Sequence, residues 1–457
     1  MPIKTDVLVV GAGTGGSTAA YALARKGIGV VLVDRKPREN IGRKVCGDGI
    51  PKATFDNLKK LIGLEHPKGE EIKMAAKGMD LIGPNFTEKY RLTSPNEEGY
   101  IVDRHKFGQR LLMNAMDVGA DLYPNTHIKD VTINDSVVCG VSGSKEGEKM
   151  GFEASVVIDA TGSSAVLLKR LPASLRGNME EGYSRKDIGF AYREIRDLEQ
   201  EIDDPDFIKI YYSHSRFPGG YYWEFPRGAK SVNAGLGVMP VGNYPSPKTV
   251  FRAYIKTNDL YKDSTIIHAG SGYVPLRRPN DVLVANGFIL VGDSGSMVNP
   301  IHGGGIGPSM DAGAFAAETI EVALENNDMS TRSLWSYSAK FQREIGSRYA
   351  ALELFKWLLI TLNDFQLSTA MRNKIITDED IENIGNKKRI ELNNIEKIRR
   401  LWRGKRIPRI ILRLIKTSRR MQAIGAHYLN YPEEPDEFKP WKEYLKKLQH
   451  GYIPDKV

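Results

Sequence analysis

The feature that most limits how this chain can fold is the glycine-rich stretch GAGTGG at residues 11–16. It follows the apolar run VLVV at 7–10 and opens an Ala-rich helical pattern over 17–25. A second apolar run, VVLV at 30–33, then ends at Asp34. A strand, a glycine turn, a helix, a strand and a terminal acid, in that order, predict a βαβ unit that binds a dinucleotide.

Each residue type in this unit has a physical reason. Gly11 allows the tight turn, Gly13 lets the backbone approach a pyrophosphate, and Gly16 lets the helix pack closely on the strand. The helix N-terminus faces the phosphate charge, and Asp34 can bind ribose hydroxyls. Because glycine-rich turns are common, it is the surrounding order of elements that favours a dinucleotide site over an ordinary turn.

The composition is that of a large protein without a disulfide scaffold. The chain has 457 residues, enough for two or three domains, and its two cysteines are Cys46 and Cys139. This cysteine count excludes a disulfide framework and a Cys-based metal cluster, so we expect no metal site. No apolar run reaches the roughly 18 residues of a membrane span, and the N-terminus resembles a first strand rather than a secretory signal. We therefore expect a cytoplasmic protein.

The net charge of +9 comes from one C-terminal segment. Residues 387–420 contain 14 Lys and Arg against two acids, Glu391 and Glu396. Such a basic amphipathic segment is either a solvated face over a core stripe or a surface attracted to anionic lipid headgroups. The sequence contains no nucleic-acid-binding module, so lipid is favoured over nucleic acid. The apolar residues at helical spacing are Ile395, Ile398, Leu401, Trp402, Ile407, Ile410, Ile411, Leu414 and Ile415.

The order of predicted elements indicates an α/β fold (α+β overall) in three regions. A Rossmann-like nucleotide-binding domain is expected to be discontinuous, over 1–80, 100–175 and 280–330. An antiparallel-sheet domain with many aromatic residues and alternating strand patterns is expected over 81–99 and 176–279. Residues 331–457 are expected to form a mostly helical, basic C-terminal region.

Two later motifs accompany the glycine unit. DATG at 159–162 ends a predicted strand, and GDSGS at 292–296 is followed by PIHGGGI at 300–306. Together the three motifs resemble the FAD-dependent superfamily that includes p-hydroxybenzoate hydroxylase. The resemblance implies that Asp293 contacts the ribityl chain of FAD and that Arg104 faces the pyrophosphate or ribityl chain.

In that superfamily the late glycine run places backbone amides and a helix N-terminus against the reduced isoalloxazine. This is physically coherent, because a helix dipole and amide donors stabilise negative charge that develops on the flavin. The full set of cofactor-binding residues that the resemblance implies is Gly11, Gly13, Gly15, Gly16, Asp34, Arg35, Val45, Cys46, Gly49, Arg104, Ile128, Gly162, Asp293, Gly304, Gly305 and Ile306.

An aromatic motif, YYWEFP at 221–226, lies in the predicted sheet domain and is followed by GLG at 235–237. Strand periodicity places Tyr221, Trp223 and Phe225 on one face, which on the residues alone is typical of a core stripe. The motif and its spacing resemble the Tyr-x-Trp-x-Phe-Pro…Gly-x-Gly signature of the geranylgeranyl reductase family, which includes archaeal digeranylgeranylglycerophospholipid reductases. The Cys46 loop also resembles that family, where it lies against the flavin. The resemblance covers roughly residues 1–330.

The resemblance implies a flavin-dependent reductase that saturates isolated C=C bonds in geranylgeranyl chains of archaeal membrane lipid precursors. It leaves open whether the substrate is a 2,3-di-O-geranylgeranylglyceryl phosphate or phospholipid, or also geranylgeranyl diphosphate. An isolated alkene has no carbonyl to accept hydride, so proton delivery must accompany or precede hydride transfer. Positive charge then develops on carbon, and aromatic faces can stabilise it while they line a dry channel.

These requirements make Tyr221 and Trp223 candidates for catalysis, with Phe225 beside them at the substrate site. The proton source is open among Cys46, Tyr221, His302 and water, and Cys46 is the further catalytic candidate. For Cys46 the alternative is a small buried filler. For His302, capping of the helix that follows is favoured over catalysis.

Three other functions compete on the sequence alone. An FAD-dependent monooxygenase or halogenase would share the fold, although the halogenase motif Gly-Trp-x-Trp-x-Ile-Pro lacks its first Trp and its Ile here. A lipid-binding protein could retain a vestigial flavin site, and an NAD dehydrogenase is disfavoured by Asp293 and the 303–305 glycines. A second GxGxxG is absent from the sequence, so the electron donor is open between reduced ferredoxin and NAD(P)H. The expected partners are an isoprenoid lipid and the inner face of an anionic cell membrane.

Overall fold

The computed structural model describes residues 1–93, 98–239, 244–375, 377, 399–400 and 403–452. The strands are β1 (Ile3–Val10), β2 (Val30–Val33), β3 (Gly49–Pro51), β4 (Ile72–Ala76), β5 (Gly78–Ile82), β6 (Lys89–Leu92), β7 (Gly99–Val102), β8 (Asp121–Tyr123), β9 (Thr126–Asn134), β10 (Val137–Lys145), β11 (Glu148–Asp159), β12 (Ile188–Asp197), β13 (Phe207–Tyr211), β14 (Gly220–Pro226), β15 (Ser231–Val238), β16 (Thr265–Pro275), β17 (Val284–Ala285) and β18 (Phe288–Leu290). The helices are α1 (Thr14–Ala24), α2 (Lys52–Ile62), α3 (Arg104–Asp117), α4 (Ala173–Arg176), α5 (Pro247–Ile255), α6 (Ile306–Glu325), α7 (Thr331–Phe341), α8 (Ser347–Leu359), α9 (Asp364–Arg372), α10 (Pro408–Leu429) and α11 (Phe438–Gln449).

The first sheet is the nucleotide-binding sheet that the sequence predicts. Its strand order is β17-β18-β11-β1-β2-β8, and β1 pairs in parallel with both β11 and β2. The apolar run 7–10 is fully buried in β1, as expected for a central parallel strand covered on both faces. Helices α1 and α6 pack together against this sheet, and β9 and β10 extend it from β11 as an antiparallel meander.

The second sheet has the order β16-β12-β15-β14-β13-β5-β6 and contains the aromatic motif. The sheet is antiparallel, as predicted, except at one pair, because β13 and β5 run parallel. These two strands are far apart in sequence, and no local pattern specifies their relative direction. The predicted boundary at residue 81 falls inside β5, which begins at Gly78. One face of this sheet packs on α5, and the other faces the first sheet's loops.

A third, small sheet has the order β3-β7-β4 and packs with α2 and α3. Strand β3 follows the Cys46 loop directly, and β7 leads into α3. The side chain of Asp103 caps α3 by accepting the amides of His105 and Lys106. This cap places Arg104 at the first position of the helix, so the small sheet fixes both the Cys46 loop and Arg104 beside the nucleotide sheet.

The C-terminal region is helical, as predicted, and is tied to the rest of the molecule by buried ions. Arg278 contacts Asp281 at 3.0 Å (Nη2–Oδ2) and Glu353 of α8 at 3.5 Å, and Lys442 of α11 contacts Asp281. No helix in the described part of the chain is both long and apolar enough to cross a membrane.

The basic segment is only partly described by the structure. The predicted apolar positions Ile395, Ile398, Leu401 and Trp402 lie outside the described residues. Helix α10 carries the remainder of the stripe, and it packs on α8. Its apolar face contacts Leu358 and Leu362, so that part of the helical prediction is confirmed. The residues of this stripe in the packed cluster are Ile407, Ile410, Ile411, Leu414 and Ile415.

Candidate functional site

The glycines of the first turn form a cradle that larger residues could not line. Gly11 has φ +108°, and a Cβ there would lie 2.3 Å from the carbonyl oxygen of Ala160. A Cβ on Gly16 would lie 1.9 Å from the oxygen of Gly11, so both positions need glycine for the reasons that the sequence suggests. A Cβ on Gly13 would instead point into the cavity, with Lys44 Nζ at 3.7 Å as its nearest neighbour.

Positive charge is concentrated around this cradle. Arg104 is 7% exposed, and its Nε and Nη1 have no hydrogen-bond partner among the described residues. Burial lowers the pKa of Lys36, Asp34 opposes the shift, and Lys44 with its cationic neighbours lowers it further. An anion would relieve both the unpaired guanidinium and the crowding of like charges, so the cradle fits a pyrophosphate. Lys44 was not predicted from the sequence, although it lies two residues before Cys46.

Asp34 and Asp293 lie on the wall of the same cavity. The carboxylate of Asp34 accepts the backbone amides of Ala12 and Lys36, each at 2.8 Å, so its position at the end of β2 is fixed. Asp293 Oδ1 lies 3.3 Å from the position of a Cβ on Gly305, beside the start of α6. The fold brings all of the predicted cofactor and substrate residues to this wall, while the role of each stays a prediction.

The cavity has a volume of about 1310 Å³ and extends beyond the cradle. It passes the aromatic strand β14 and reaches apolar side chains of α8 and α9, among them Leu352, Phe355, Leu359 and Leu367. Pockets for one small molecule usually measure roughly 300–1,000 Å³. The larger volume and the change from a polar to an apolar wall fit a nucleotide beside a second, apolar ligand.

Two aromatic side chains of β14 pack directly against glycines of neighbouring segments. Trp223 pairs with Gly235 across β14 and β15, and a Cβ on Gly235 would lie 2.2 Å from Trp223 Cζ2. Trp223 Nε1 donates to Asn233 Oδ1 at 3.3 Å. The ring of Phe225 packs on Gly47, where a Cβ would lie 2.6 Å from Phe225 Cε2. The spacing of aromatics and glycines is therefore a packing requirement between neighbouring elements.

Two of the predicted proton donors have other hydrogen-bonding roles. The hydroxyl of Tyr221 donates to the carbonyl oxygen of His302 at 2.6 Å, and burial raises the pKa of Tyr221. Desolvation on the cavity wall and the charge of Arg348 lower the pKa of His302, so its ring is neutral near pH 7. Its Nδ1 accepts the amide of Gly304 at 3.1 Å, in the turn before α6. Helix α6 has Gly305 at its N-cap and no side-chain cap, so His302 orders the turn and does not cap the helix as expected.

Cys46, the third candidate side chain, also has a defined hydrogen-bond partner, and its role as proton donor stays a prediction beside that of water. Its half-buried side chain lies on the cavity wall, and burial together with Asp48 raises the pKa of the thiol to about 12. The thiol donates to Asp48 Oδ1 at 2.9 Å. Asp48 and Asn233 were both missed from the sequence. The only signals were their spacings, two residues after Cys46 and two before Gly235.

Comparison with known proteins identifies the family. Residues 187–274 match the geranylgeranyl reductase catalytic domain, and residues 6–181 match the FAD dependent oxidoreductase family. The chain is 34% identical over 450 residues to a digeranylgeranylglycerophospholipid reductase of Sulfolobus acidocaldarius, covering 98% of this chain and 97% of that protein. The chain belongs to the geranylgeranyl reductase family. It is accordingly an FAD-dependent oxidoreductase, which agrees with the fit of the cradle.

Further relatives support this assignment. A digeranylgeranylglycerophospholipid reductase of Methanothrix thermoacetophila is 31% identical, over 83% of this chain and 93% of that protein. The crystal structure of a geranylgeranyl bacteriochlorophyll reductase-like protein from Thermoplasma acidophilum aligns with a TM-score of 0.75 and 25% identity, covering 91% of this reductase and 100% of that chain. The myxobacterial chondrochloren halogenase aligns with a TM-score of 0.66 at 18% identity, over 100% of this reductase and 99% of that chain, and so shares the fold.

Proposed function

We propose that this protein reduces C=C bonds in the geranylgeranyl chains of archaeal membrane lipid precursors, with digeranylgeranylglycerophospholipids as its substrate class. The names of its relatives indicate that class. The observation that carries the proposal is the single cavity that joins the nucleotide cradle to an apolar wall on α8 and α9. A long prenyl chain needs such a dry, apolar path to the reacting centre.

Different residues of the site would have different roles in the reaction. Reduced FAD, when bound, supplies a hydride equivalent. The cations Arg104 and Lys44 would hold its pyrophosphate, and the amides that follow His302 would stabilise negative charge at the start of α6. The faces of Tyr221 and Trp223 would stabilise positive charge on the alkene carbon, and the Cys46 thiol would deliver the proton.

The direct test is mass spectrometry of products after anaerobic incubation with dithionite. Digeranylgeranylglyceryl phosphate and geranylgeranyl diphosphate are supplied separately, and each saturated bond adds two hydrogens to the substrate mass. We expect saturated products with the diether phosphate, and the ratio of initial rates gives the preference between headgroups. Reduced flavin that is reoxidised only by oxygen, with neither substrate changed, would refute the proposed activity.

We propose further that the protein docks on anionic membranes through α10. Its apolar stripe packs on α8 and α9, whose side chains Phe355, Leu359 and Leu367 also line the cavity. The opposite, exposed face carries Arg409, Arg413, Lys416 and Arg419 around an exposed Leu412. Positive charge therefore lies outside the helices that cover the apolar end of the cavity, where a lipid substrate would enter.

Vesicle flotation tests this docking. Each basic residue near an anionic bilayer contributes about 1 kcal/mol of attraction, so replacing Arg409, Arg413 and Lys416 by Gln should weaken binding to anionic vesicles by two orders of magnitude. The matched control replaces the exposed Lys439, Lys446 and Lys447 of α11 by Gln and removes the same charge. Docking through α10 is wrong if both triple variants lose binding equally or if binding ignores lipid charge and salt.

For the electron donor we propose a transient partner, either reduced ferredoxin or NAD(P)H. The sequence contains one GxGxxG unit, and this unit lines the part of the cavity that fits FAD. A second such unit for bound NAD(P)H is absent from the sequence. Anaerobic stopped-flow reduction of the bound flavin by each donor, followed by its absorbance, distinguishes the two. Saturating kinetics with one donor and none with the other would identify it.

A further inference from the structure

A buried polar cluster lies between the Cys46 loop and strand β15. Its central members are Asp48 and Asn233, which are 2% and 0% exposed. Arg193 and Arg227 flank them, and the Nε and Nη1 of Arg193 have no hydrogen-bond partner among the described residues. The proposed reaction uses the thiol of Cys46 and none of these four groups. Because burying polar and charged groups is costly, their arrangement around the thiol requires a reason.

Three hydrogen bonds of the cluster end on Cys46 or Asp48 of the Cys46 loop. The thiol of Cys46 donates to Asp48 Oδ1 at 2.9 Å. The side-chain amide of Asn233 donates to Asp48 Oδ2 and to the carbonyl oxygen of Cys46, each at 2.8 Å. Arg227 Nη1 lies 3.5 Å from Asp48 Oδ2. Asn233 thereby holds both the backbone of Cys46 and the carboxylate that binds its thiol.

The backbone of Asp48 supports the same interpretation. Its φ of +68° lies in the left-handed region, which is uncommon for residues other than glycine. Asp tolerates this conformation better than most residues, yet it still persists only where the surroundings fix it. Here the conformation turns the carboxylate back toward Cys46. A glycine would satisfy the backbone more easily, so the side chain itself is what the position uses.

From this geometry we propose that Asp48 and Asn233 are positioning residues that hold the Cys46 thiol, as an S–H donor, at the wall of the cavity. The inference rests on the proposed function, in which that thiol delivers the proton to the alkene. Asn233 also accepts the indole N–H of Trp223, so one amide sets the thiol relative to the aromatic face. Proton donor and cation-stabilising ring would then keep a fixed separation as substrates pass.

Charge around the thiol agrees with a protonated donor rather than a nucleophile. Burial raises the pKa of Cys46 to about 12, and the neighbouring Asp48 adds to the effect, while Arg104 opposes it. Partial desolvation and the nearby Arg193 lower the pKa of His268, while Asp48 opposes the shift. A nucleophilic cysteine needs the reverse, a neighbourhood that favours thiolate. The charged or titratable groups that face the thiol or Asp48 are Arg104, Arg193, Arg227 and His268.

The proton balance of the step is simple. One alkene carbon takes the hydride equivalent, and the other takes the proton as the S–H bond of Cys46 breaks. The thiolate then takes a proton from water, so the enzyme side chains return to their starting state. Each cycle adds two hydrogens to the substrate and consumes one electron pair, which the electron donor restores.

The test measures the thiol itself in FAD-loaded protein that carries Cys139→Ala, so that Cys46 is the single thiol. Asp48→Asn keeps the shape of the side chain but removes its charge. We expect the S–H infrared band to move to higher wavenumber, and alkylation by iodoacetamide at pH 8 to rise by about tenfold or more, equivalent to one pKa unit. The matched control is Asp80→Asn, a carboxylate 1% exposed that pairs with Arg91 on the far face of the second sheet.

Asn233→Ser provides a second variant should Asp48→Asn fail to retain FAD. It should shift the same band and lower kcat for alkene reduction without raising KM, because positioning of a donor acts on the chemical step. The proposal is overturned if both variants match Asp80→Asn in band and alkylation rate. A changed thiol band together with full activity of Cys46→Ser would instead refute the proton-donor role while leaving the positioning intact.

Discussion

The two glycines of the GLG motif allow a sharp test of how the aromatic strand is built. A Cβ on Gly235 would lie 2.2 Å from Trp223 Cζ2 and 2.7 Å from Arg193 Cβ. A Cβ on Gly237 would have Trp223 Cζ3 as its nearest neighbour among the described residues, at 3.8 Å, which is an ordinary contact. Neither glycine has positive φ, so alanine strains neither backbone. The same added methyl group would therefore clash at Gly235 and fit at Gly237, although both positions lie on the same face of β15.

The two substitutions are expected to change the free energy of unfolding in opposite directions. Gly235→Ala overpacks a buried site, which typically costs about 1–3 kcal/mol. Gly237→Ala restricts the unfolded chain without strain, which typically stabilises by about 0.4–1 kcal/mol. The indole of Trp223 should also leave its place in the Gly235 variant and lose its hydrogen bond to Asn233. The two variants should therefore differ by about 1.5–4 kcal/mol in the free energy of unfolding.

The assay compares urea midpoints of the FAD-loaded variants under one set of conditions. Tryptophan fluorescence at zero denaturant reports the displaced indole, with Trp223→Phe as the reference for its contribution. Equal midpoints for the two alanine variants would refute the packing argument. So would a Gly235 variant that unfolds like the wild type and keeps its fluorescence.

Three further outcomes are expected. Arg104→Gln should weaken FAD binding by about 10- to 150-fold, because a charge-assisted hydrogen bond contributes about 1.5–3 kcal/mol, and flavin fluorescence on titration measures it. Trp223→Phe should slow the reduction of long prenyl chains while dithionite reduces the flavin at the normal rate, and equal losses in both steps would contradict a role at the alkene. Cys139→Ala should leave activity intact, because that thiol lies on a meander strand, where it donates to the carbonyl oxygen of Thr132 at 3.6 Å, and lost activity would refute its inertness.

The nucleotide half of the site was predictable because it is encoded locally. A run of six residues, 11–16, sets the turn, the helix start and the close packing, and its neighbours along the chain supply the two strands. The place of Asp34 was predictable for the same reason, because it directly follows strand β2. The structure adds Lys44, which reaches the cradle from a loop that folds back over it, and no spacing in the sequence encodes that return.

The second sheet was less predictable because its order depends on long-range pairing. Alternation of residues in β14 correctly places Tyr221, Trp223 and Phe225 toward the cavity. The parallel pairing of β5 with β13 has no local signal, and neither does the contact of Asn233 with Asp48, 185 residues away. Sequence patterns specify which face a side chain occupies, but only the assembled fold specifies what it meets there.

The contacts of the aromatic motif indicate a structural role in addition to lining the cavity. Two of its three side chains contact the nucleotide domain: Tyr221 donates to the carbonyl oxygen of His302, and Phe225 packs on Gly47. Trp223 donates to Asn233 of the adjacent strand β15, and the amide of Asn233 in turn donates to the carbonyl oxygen of Cys46. Aromatic rings that only lined a channel would not need such partners. The strand therefore docks the second sheet onto the cradle, because Tyr221 and Phe225 tie the two together along the wall of the cavity.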